Sequence, residues 1–245
     1  MSFETDALVL KSGDAGESDR IVTLLTADYG VIRAFANKAK KSNSQMQAAT
    51  QTFCYGRFSV YTGRDSYTIN RAEAKEVFFE LRQDIERLAL GQYFCSLAVE
   101  LIPEGEPAPD SLRVILNSLS FLQKEKRSKQ FLKAVTELKL ISLAGFAPDL
   151  SACGICGDNP AGNVYFDTDS GRFFCEKHKK GNFVITPGVL TAMRHVTLNS
   201  VDRIYSFALT PADEELFGRV TENFLLRRTG KSFKALEFYK TVSLG

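Results

Sequence analysis

The sequence has little histidine and no long apolar run. Its 245 residues include only two histidines, and no apolar stretch approaches the roughly 18 residues that a membrane-spanning helix needs. The first residues, Met1–Asp6, also lack the basic and then apolar pattern of a secretory signal. These absences predict a cytoplasmic protein with no membrane partner.

Sequence motifs of common enzyme classes are missing as well. No Gly-x-x-x-x-Gly-Lys-Ser/Thr or Gly-x-Gly-x-x-Gly loop occurs, so the usual cradle for nucleotide phosphates is absent. His195 has no nucleophile signature beside it, and we interpret it as an ordinary packed or surface residue. The chain is therefore predicted to have no catalytic residues and no small-molecule substrate.

Cysteine is scarce, and its number is odd. Five cysteines, three of them in one short motif, favour reduced cytosolic thiols over a disulfide framework. Cys54 and Cys95 lie outside that motif, Cys95 in the apolar segment Tyr93–Leu97. Both are predicted to be small core side chains.

The other three cysteines belong to a metal-binding pattern. Cys153-Gly-Ile-Cys156 is followed, after eighteen residues, by Cys175-Glu-Lys-His178. Two such pairs brought face to face supply the four ligands of tetrahedral Zn²⁺. The apolar runs Val164–Phe166 and Arg172–Phe174 flank a turn-rich loop, so they predict a hairpin that returns the two pairs to one place.

Four protein ligands leave no open coordination position, which is the feature that separates catalytic from structural zinc. We therefore predict one structural Zn²⁺ held by Cys153, Cys156, Cys175 and His178. Unpaired cysteines, a disulfide and an iron–sulfur site are the alternatives. A zinc deaminase would need His-x-Glu ahead of Pro-Cys-x-x-Cys, and the sequence has neither.

The net charge of +2 conceals an uneven distribution of charge. Residues 1–30 hold two basic and six acidic side chains, whereas residues 31–71 hold seven basic side chains and one acidic one. Such a local excess of cations predicts contact with a polyanion. The candidate residues are Arg33, Lys38, Lys40, Lys41, Arg57, Arg64 and Arg71.

The same region is rich in short β-type runs. Five of them, separated by Gly-, Asp- and Ser-containing turns, suit a small closed barrel such as the OB-fold, although other small barrels remain open. The predicted strands are Ala7–Leu10, Ile21–Leu25, Val31–Ala36, Phe53–Tyr61 and Ser66–Asn70. The predicted turns and loops are Ser12–Gly16, Asp28–Gly30, Lys38–Gln51 and Thr62–Asp65.

An OB-type barrel binds nucleic acid with cations that follow the phosphates and aromatic rings that stack on bases. Strand aromatics are more commonly core, and we interpret Phe53, Phe58 and most of the tyrosines in that way. For the lysine loop, Lys38–Lys41, we favour phosphate contact.

From about Val77 the apolar period changes to that of helices. Apolar stripes predict helices over about 85–101, 112–122 and 131–141, and Thr186-Pro187 and Thr210-Pro211 predict two further helix starts. Asp213 is predicted to complete a capping box with Thr210. Two basic clusters, Lys124–Lys139 and Arg227–Lys234, are interpreted as solvated helix faces, with an anion track or a site for an acidic peptide as the alternatives.

The predicted fold class is therefore α+β. A five-stranded OB-fold β-barrel over residues 1–77 precedes an α-helical domain over residues 78–245, which carries a zinc-ribbon hairpin insertion at about 150–182.

Several segments, taken in order, resemble the RecO family of bacterial DNA repair and recombination mediator proteins. The resemblance covers nearly the whole chain and depends on the order of its pieces. The pieces are Ala7–Lys11, Gly16–Asp19, Thr23–Thr26, Tyr29–Arg33, Leu143–Leu150 leading into Cys153–Gly157, and Lys231–Phe238.

The resemblance implies a non-enzymatic, nucleoid-associated protein. It implies binding of single- and double-stranded DNA, annealing of complementary strands and, with RecR, help for RecA in replacing single-stranded DNA-binding protein, whose acidic C-terminal tail is a further expected partner. The basic loop of the family falls on Lys38, Lys40 and Lys41, and its zinc ligands fall on the Cys/His set above. The chain departs from the family at Asn37, where glycine is usual, and at Ser170–Arg172, where a Gly-Gly is usual.

Two other functions stay open from the residues alone. One is an RNA-binding zinc-ribbon protein of translation or transcription, and the other is a zinc-dependent nucleic-acid enzyme.

Overall fold

A computed structural model describes residues 2–41, 45–64 and 66–243. The chain divides into two compact units, Met1–Lys124 together with Ala235–Gly245, and Glu125–Lys234. The strands are β1 Ser2–Ala15, β2 Asp19–Thr26, β3 Gly30–Ala36, β4 Cys54–Thr62, β5 Tyr67–Val77, β6 Val164–Asp167, β7 Arg172–Phe174 and β8 Phe183–Ile185. The α-helices are α1 Gln45–Ala49, α2 Ile85–Leu101, α3 Pro109–Gln123, α4 Lys129–Ile141, α5 Pro187–Leu198, α6 Pro211–Thr229 and α7 Lys234–Ser243.

The first five strands form a closed barrel in the order β1-β2-β3-β5-β4, in which β1 pairs with both β2 and β4. All neighbours are antiparallel except β3 and β5, whose parallel pairing closes the barrel. Alternate side chains point inwards, as the period of two requires. They include Val22, Leu24, Ile32, Ala34, Phe58, Val60 and Ile69. The predicted fold class, an OB-type barrel followed by helices with a hairpin insertion, is confirmed.

Three details of the barrel region differ from the sequence prediction. The predicted turn Ser12–Gly16 is wrong, because β1 continues to Ala15 and the turn follows it. The stretch Lys38–Gln51, predicted to be loop, contains α1. The helical period does not begin at Val77, which ends β5, since a 3₁₀ turn at Phe79–Gln83 intervenes before α2.

The segment between α2 and α3 is attached to the barrel through its backbone. Glu104 forms a β-bridge with Gly30, and the Gly105 and Ala108 N–H groups donate to the carbonyls of Tyr29 and Ala27 at 3.0 and 2.9 Å. Gly30 has φ +60, and a Cβ there would lie 1.9 Å from the Pro103 carbonyl oxygen. Only glycine permits this close approach, which fixes Glu104 beside the barrel.

The second unit contains a three-helix core and a small sheet. The start of α5 is capped by Thr186, whose hydroxyl accepts from Val189 N, and that of α6 by Thr210, which accepts from Asp213 N. Both predicted starts are thus confirmed. In the predicted capping box, the Asp213 carboxylate would accept from the backbone N–H of Thr210. In the structure this carboxylate accepts from the Thr186 hydroxyl at 2.7 Å. Two elements are not predicted from the sequence, β8, which pairs with β6, and α7 of the first unit.

Most of the basic cluster Lys124–Lys139 has structural partners. Lys133 is buried between Glu137 and Glu222, each 2.8 Å away. Lys139 donates to the Asn199 carbonyl at 2.8 Å, and Arg127 donates to the Tyr205 carbonyl at 2.7 Å. These three cations therefore stabilise the helical core.

Replacement of Lys133 by methionine is expected to lower the free energy of unfolding by about 3–5 kcal/mol, because it leaves the buried Glu137 and the partly buried Glu222 carboxylates without their cation. Burial alone would lower the pKa of Lys133, but the two carboxylates outweigh it and raise that pKa, so the lysine is charged at neutral pH. Denaturant unfolding measures the loss. Lys126→Met, at an exposed position, is the control, and equal stability of the two variants would contradict the prediction.

No helix among the described residues is long and apolar enough to cross a membrane.

Candidate metal centre and candidate nucleic-acid surface

The metal-binding pattern is held by a three-stranded sheet in the order β7-β6-β8. The β6–β7 hairpin pairs Tyr165 with Phe174 and Phe166 with Phe173. Gly154 N donates to the Phe173 carbonyl at 2.9 Å, so the first Cys pair is attached to the strand that leads into the second pair. The predicted hairpin therefore brings the two pairs together.

The four predicted ligands form one cluster, with all ligand atoms within 4.8 Å of one another. The Sγ atoms of Cys156 and Cys175 are 3.7 Å apart. His178 Nδ1 lies 3.3 Å from Cys175 Sγ and 3.8 Å from Cys153 Sγ. A tetrahedral ion with zinc-like bond lengths needs S···S and S···N separations of about 3.8 and 3.5 Å, so the cluster fits such an ion.

Thiolate, the form that binds metal, is favoured at Cys153. Burial opposes ionisation there, but backbone N–H groups of Cys156, Cys175 and Ile155 point at the sulfur, and the pKa of Cys153 falls to about 6. The turn after Cys156 contains Gly157, whose φ of +76 lies in the left-handed region that glycine adopts without strain.

The two cysteines outside the motif behave as predicted. Both are buried, and desolvation raises the pKa of Cys54 to about 11 and that of Cys95 to about 12. His195 is a packed residue, since its Nε2 lies 2.8 Å from the Arg203 carbonyl oxygen and its ring stacks edge-on against Phe207.

The outer surface of β1, β2 and β3 carries cations and an exposed aromatic ring. The strand register places Lys11, Thr23 and Arg33 in one row, and Gly13, Ile21 and Phe35 in the next. Lys11 and Arg33 are exposed, and Phe35 is 44% exposed. We call this surface, with Lys11, Arg33 and Phe35, the cationic face.

A cleft of about 580 Å³ opens beside the cationic face, between β3 and the β4–β5 turn. Arg33 and Arg64 contribute cations to it, Phe35 and Tyr67 contribute rings, and Glu104 contributes the carboxylate. Among the described residues neither arginine forms an ion pair. Burial, followed by the nearby Glu104 carboxylate, raises the pKa of Tyr67.

The opposite side of the barrel, formed by β1, β4 and β5, has balanced charges. Arg57 lies 3.5 Å from Glu4 and 3.7 Å from Asp6, and Lys75 lies 2.7 Å from Asp6. Arg71 is exposed on this side and faces Ser59 across the strand pair. The local sequence count therefore overstates the free charge, because acids from β1 meet the cations of β4.

The lysine loop begins directly after β3. The N–H of Lys38 donates to the Asp19 carboxylate at 2.7 Å, which fixes the loop against the end of the β1–β2 turn. Lys40 is ion-paired with Asp14 at 3.1 Å. The side chains of Lys38 and Lys41 are exposed, and neither has an ion-pair partner among the described residues.

Three residues of this surface, Lys11, Phe35 and Glu104, are not among the sites predicted from the sequence. Alternation along β3 marks Phe35 as outward-facing, since Ala34 and Ala36 are core, and that signal was available. The strand register places Lys11 in the row of Arg33, and the backbone bridge to Gly30 places Glu104 beside the barrel. Neither contact can be read from the sequence. Phe53 and Phe58 are buried as predicted.

Comparison with known proteins bears on both halves of the chain. Residues 1–78 match the family model described as Recombination protein O N terminal, and residues 82–237 match Recombination protein O C terminal. The chain belongs to the RecO family. A curated DNA repair protein RecO from Acetivibrio thermocellus is 32% identical over 243 residues, covering 98% of this chain and 97% of the relative.

Other RecO proteins agree. The DNA repair protein RecO of Clostridium novyi is 29% identical, covering 97% of this chain and 93% of its own length. That of Pelotomaculum thermopropionicum is 34% identical over 173 residues, covering 71% of this chain and 67% of the relative. The resemblance stated from the sequence is thus confirmed.

Proposed function

We propose that this RecO-family chain binds single- and double-stranded DNA, anneals complementary strands and, with RecR, helps load RecA onto DNA coated by single-stranded DNA-binding protein. The single observation that carries the DNA-binding step is the cleft beside the cationic face, where two arginines without an ion-pair partner among the described residues lie next to two aromatic rings. Cations neutralise phosphates and rings stack on unpaired bases. No catalytic step is part of the proposal.

We rank the proposed DNA-binding residues by how little of their positive charge is compensated by neighbouring carboxylates. Arg33 and Arg64 come first because they share the cleft, and Lys38 and Lys41 follow because they are exposed in the loop directly after β3. Arg71 lies on the balanced side. Lys40 and Arg57 contribute least, because their charges are partly compensated by carboxylates.

We propose that the ion of the Cys/His cluster is Zn²⁺. Three cysteines and one histidine are typical ligands of structural zinc, and the interatomic distances suit its bond lengths. The ion would hold the β6–β7 hairpin closed. The barrel over residues 1–77 and the helical region over 78–245 remain our proposed functional division.

The proposed activity is tested with fluorescently labelled complementary strands coated by single-stranded DNA-binding protein. Purified protein is expected to speed their annealing without nucleotide hydrolysis, because bound cations reduce the repulsion between two strands. Lys38→Glu with Lys41→Glu should slow annealing at least tenfold, whereas Arg203→Glu, at an exposed site of the other unit, should not. Failure of the unmodified protein to speed annealing would refute the proposal.

RecR and the acidic tail of the single-stranded DNA-binding protein are the proposed protein partners. The RNA-binding alternative is decided by competition between DNA and RNA strands of one sequence, since a site that reads the 2′-hydroxyl prefers RNA.

A further inference from the structure

We propose that Glu104 gives the cleft a preference for unpaired bases that carry an exocyclic amino group. This inference rests on the proposed function and concerns which bases the cleft accepts. A carboxylate accepts hydrogen bonds and repels phosphate. In a cleft whose two arginines face the DNA backbone, the place for Glu104 is therefore opposite a base.

The position of Glu104 is fixed by its backbone. Its bridge to Gly30, and the adjacent bond from Gly105 N to the Tyr29 carbonyl, attach it to the start of β3. The Tyr67 side chain lies near its carboxylate, and both residues line the cleft. Such pre-positioning limits the entropy lost when a ligand binds.

The carboxylate keeps hydrogen-bonding capacity for a ligand. Two oxygens offer about four acceptor sites, and a hydrogen bond from the neighbouring Tyr67 hydroxyl would fill only one of them. Among the described residues, no cation forms an ion pair with Glu104. Because Glu104 lines the same cleft as Phe35 and Tyr67, the remaining sites are available to a base that stacks on either ring.

The chemistry of the bases then determines the preference. Cytosine presents an N4 amino donor, which carboxylates accept well, and adenine presents an N6 amino donor. Uracil and thymine present O4 at the same edge, and two acceptors repel each other. A cleft of about 580 Å³ lies within the size range of small-ligand sites and is large enough for one nucleotide.

The test compares deoxycytidine and deoxyuridine decamers, which differ at the Watson–Crick edge but not at the backbone. Fluorescence anisotropy at pH 7.5 and fixed salt is expected to give about fivefold tighter binding of the deoxycytidine decamer. Glu104→Gln should bring the ratio of dissociation constants close to one, because an amide both donates and accepts. Tyr67→Phe keeps the ring but frees the carboxylate, and it should reduce the ratio in part.

Each outcome has a defined meaning. A ratio near one in the unmodified protein, or a ratio that Glu104→Gln leaves unchanged, overturns the inference while DNA binding stands. If neither decamer binds, or if Arg33→Ala weakens neither, the proposed DNA site fails as well. Because Glu104→Gln preserves an acceptor for Tyr67, unchanged thermal stability of that variant shows that the cleft is intact.

Discussion

Reversal of both cleft arginines, Arg33→Glu with Arg64→Glu, is expected to weaken binding of a single-stranded oligonucleotide about a hundredfold at low salt. The estimate assigns about tenfold, or about 1.4 kcal/mol, to each lost phosphate contact. Both side chains are exposed and line one cleft, and neither has an ion-pair partner among the described residues. Their charge is therefore available to a ligand.

The salt dependence gives a second, independent measure. For single strands the slope of log affinity against log salt changes by about 0.7 for each neutralised phosphate, so loss of two contacts should reduce it by about 1.4. Anisotropy titrations between roughly 50 and 200 mM salt measure that slope. Arg203→Glu with Arg219→Glu changes the net charge equally in the other unit and should leave the slope unchanged. An unaltered slope in the Arg33/Arg64 variant would remove the cleft from the DNA site.

Loss of the metal is expected to unfold the segment that carries β6, β7 and β8. Structural zinc in zinc-finger peptides contributes on the order of 10 kcal/mol to folding, and strands of three or four residues, as here, have little stability of their own. Cys175→Ser, or a chelator, should therefore lower the melting temperature and expose residues 150–186 to protease. Melting curves and proteolysis followed by mass spectrometry measure both effects.

Cys95→Ala is the matched control, because it removes a buried cysteine that lies outside the cluster. Elemental analysis should find one equivalent of zinc in the unmodified protein and in Cys95→Ala, and much less in Cys175→Ser. A metal-free protein with unchanged melting and protease resistance would contradict a structural role for the ion.

The metal cluster and the five-stranded barrel follow from local patterns, and this is why the sequence predicts them. A hairpin brings its two ends close together, so the ligand pairs at those ends are adjacent. Five strand-like runs separated by turns are compatible with only a few barrel topologies. The caps at Thr186 and Thr210 are local for the same reason, since a hydroxyl reaches an N–H three residues on.

The DNA surface depends on contacts between distant residues, and here the sequence is a weaker guide. Arg57 is one of seven cations in its local stretch, yet Glu4 and Asp6 of a neighbouring strand compensate it. Lys133 belongs to a basic run but is buried between two glutamates. Glu104 reads as part of a connecting loop until its bridge to Gly30 places it in the cleft. Strand register and tertiary ion pairs determine these outcomes.

The close contact between Gly30 and Pro103 limits the positions at which the chain can be truncated to give a stable fragment. The match to the N-terminal family model ends at residue 78, and the match to the C-terminal model begins at residue 82. The carbonyls of Ala27 and Tyr29, however, accept hydrogen bonds from the N–H groups of Ala108 and Gly105, beyond that boundary. A fragment truncated at residue 77 would leave those acceptors to solvent and would uncover the barrel surface beneath α2. The boundary between the two family matches is therefore not a position at which the chain can be truncated to give a stable fragment. An N-terminal fragment that folds by itself has to extend through α3.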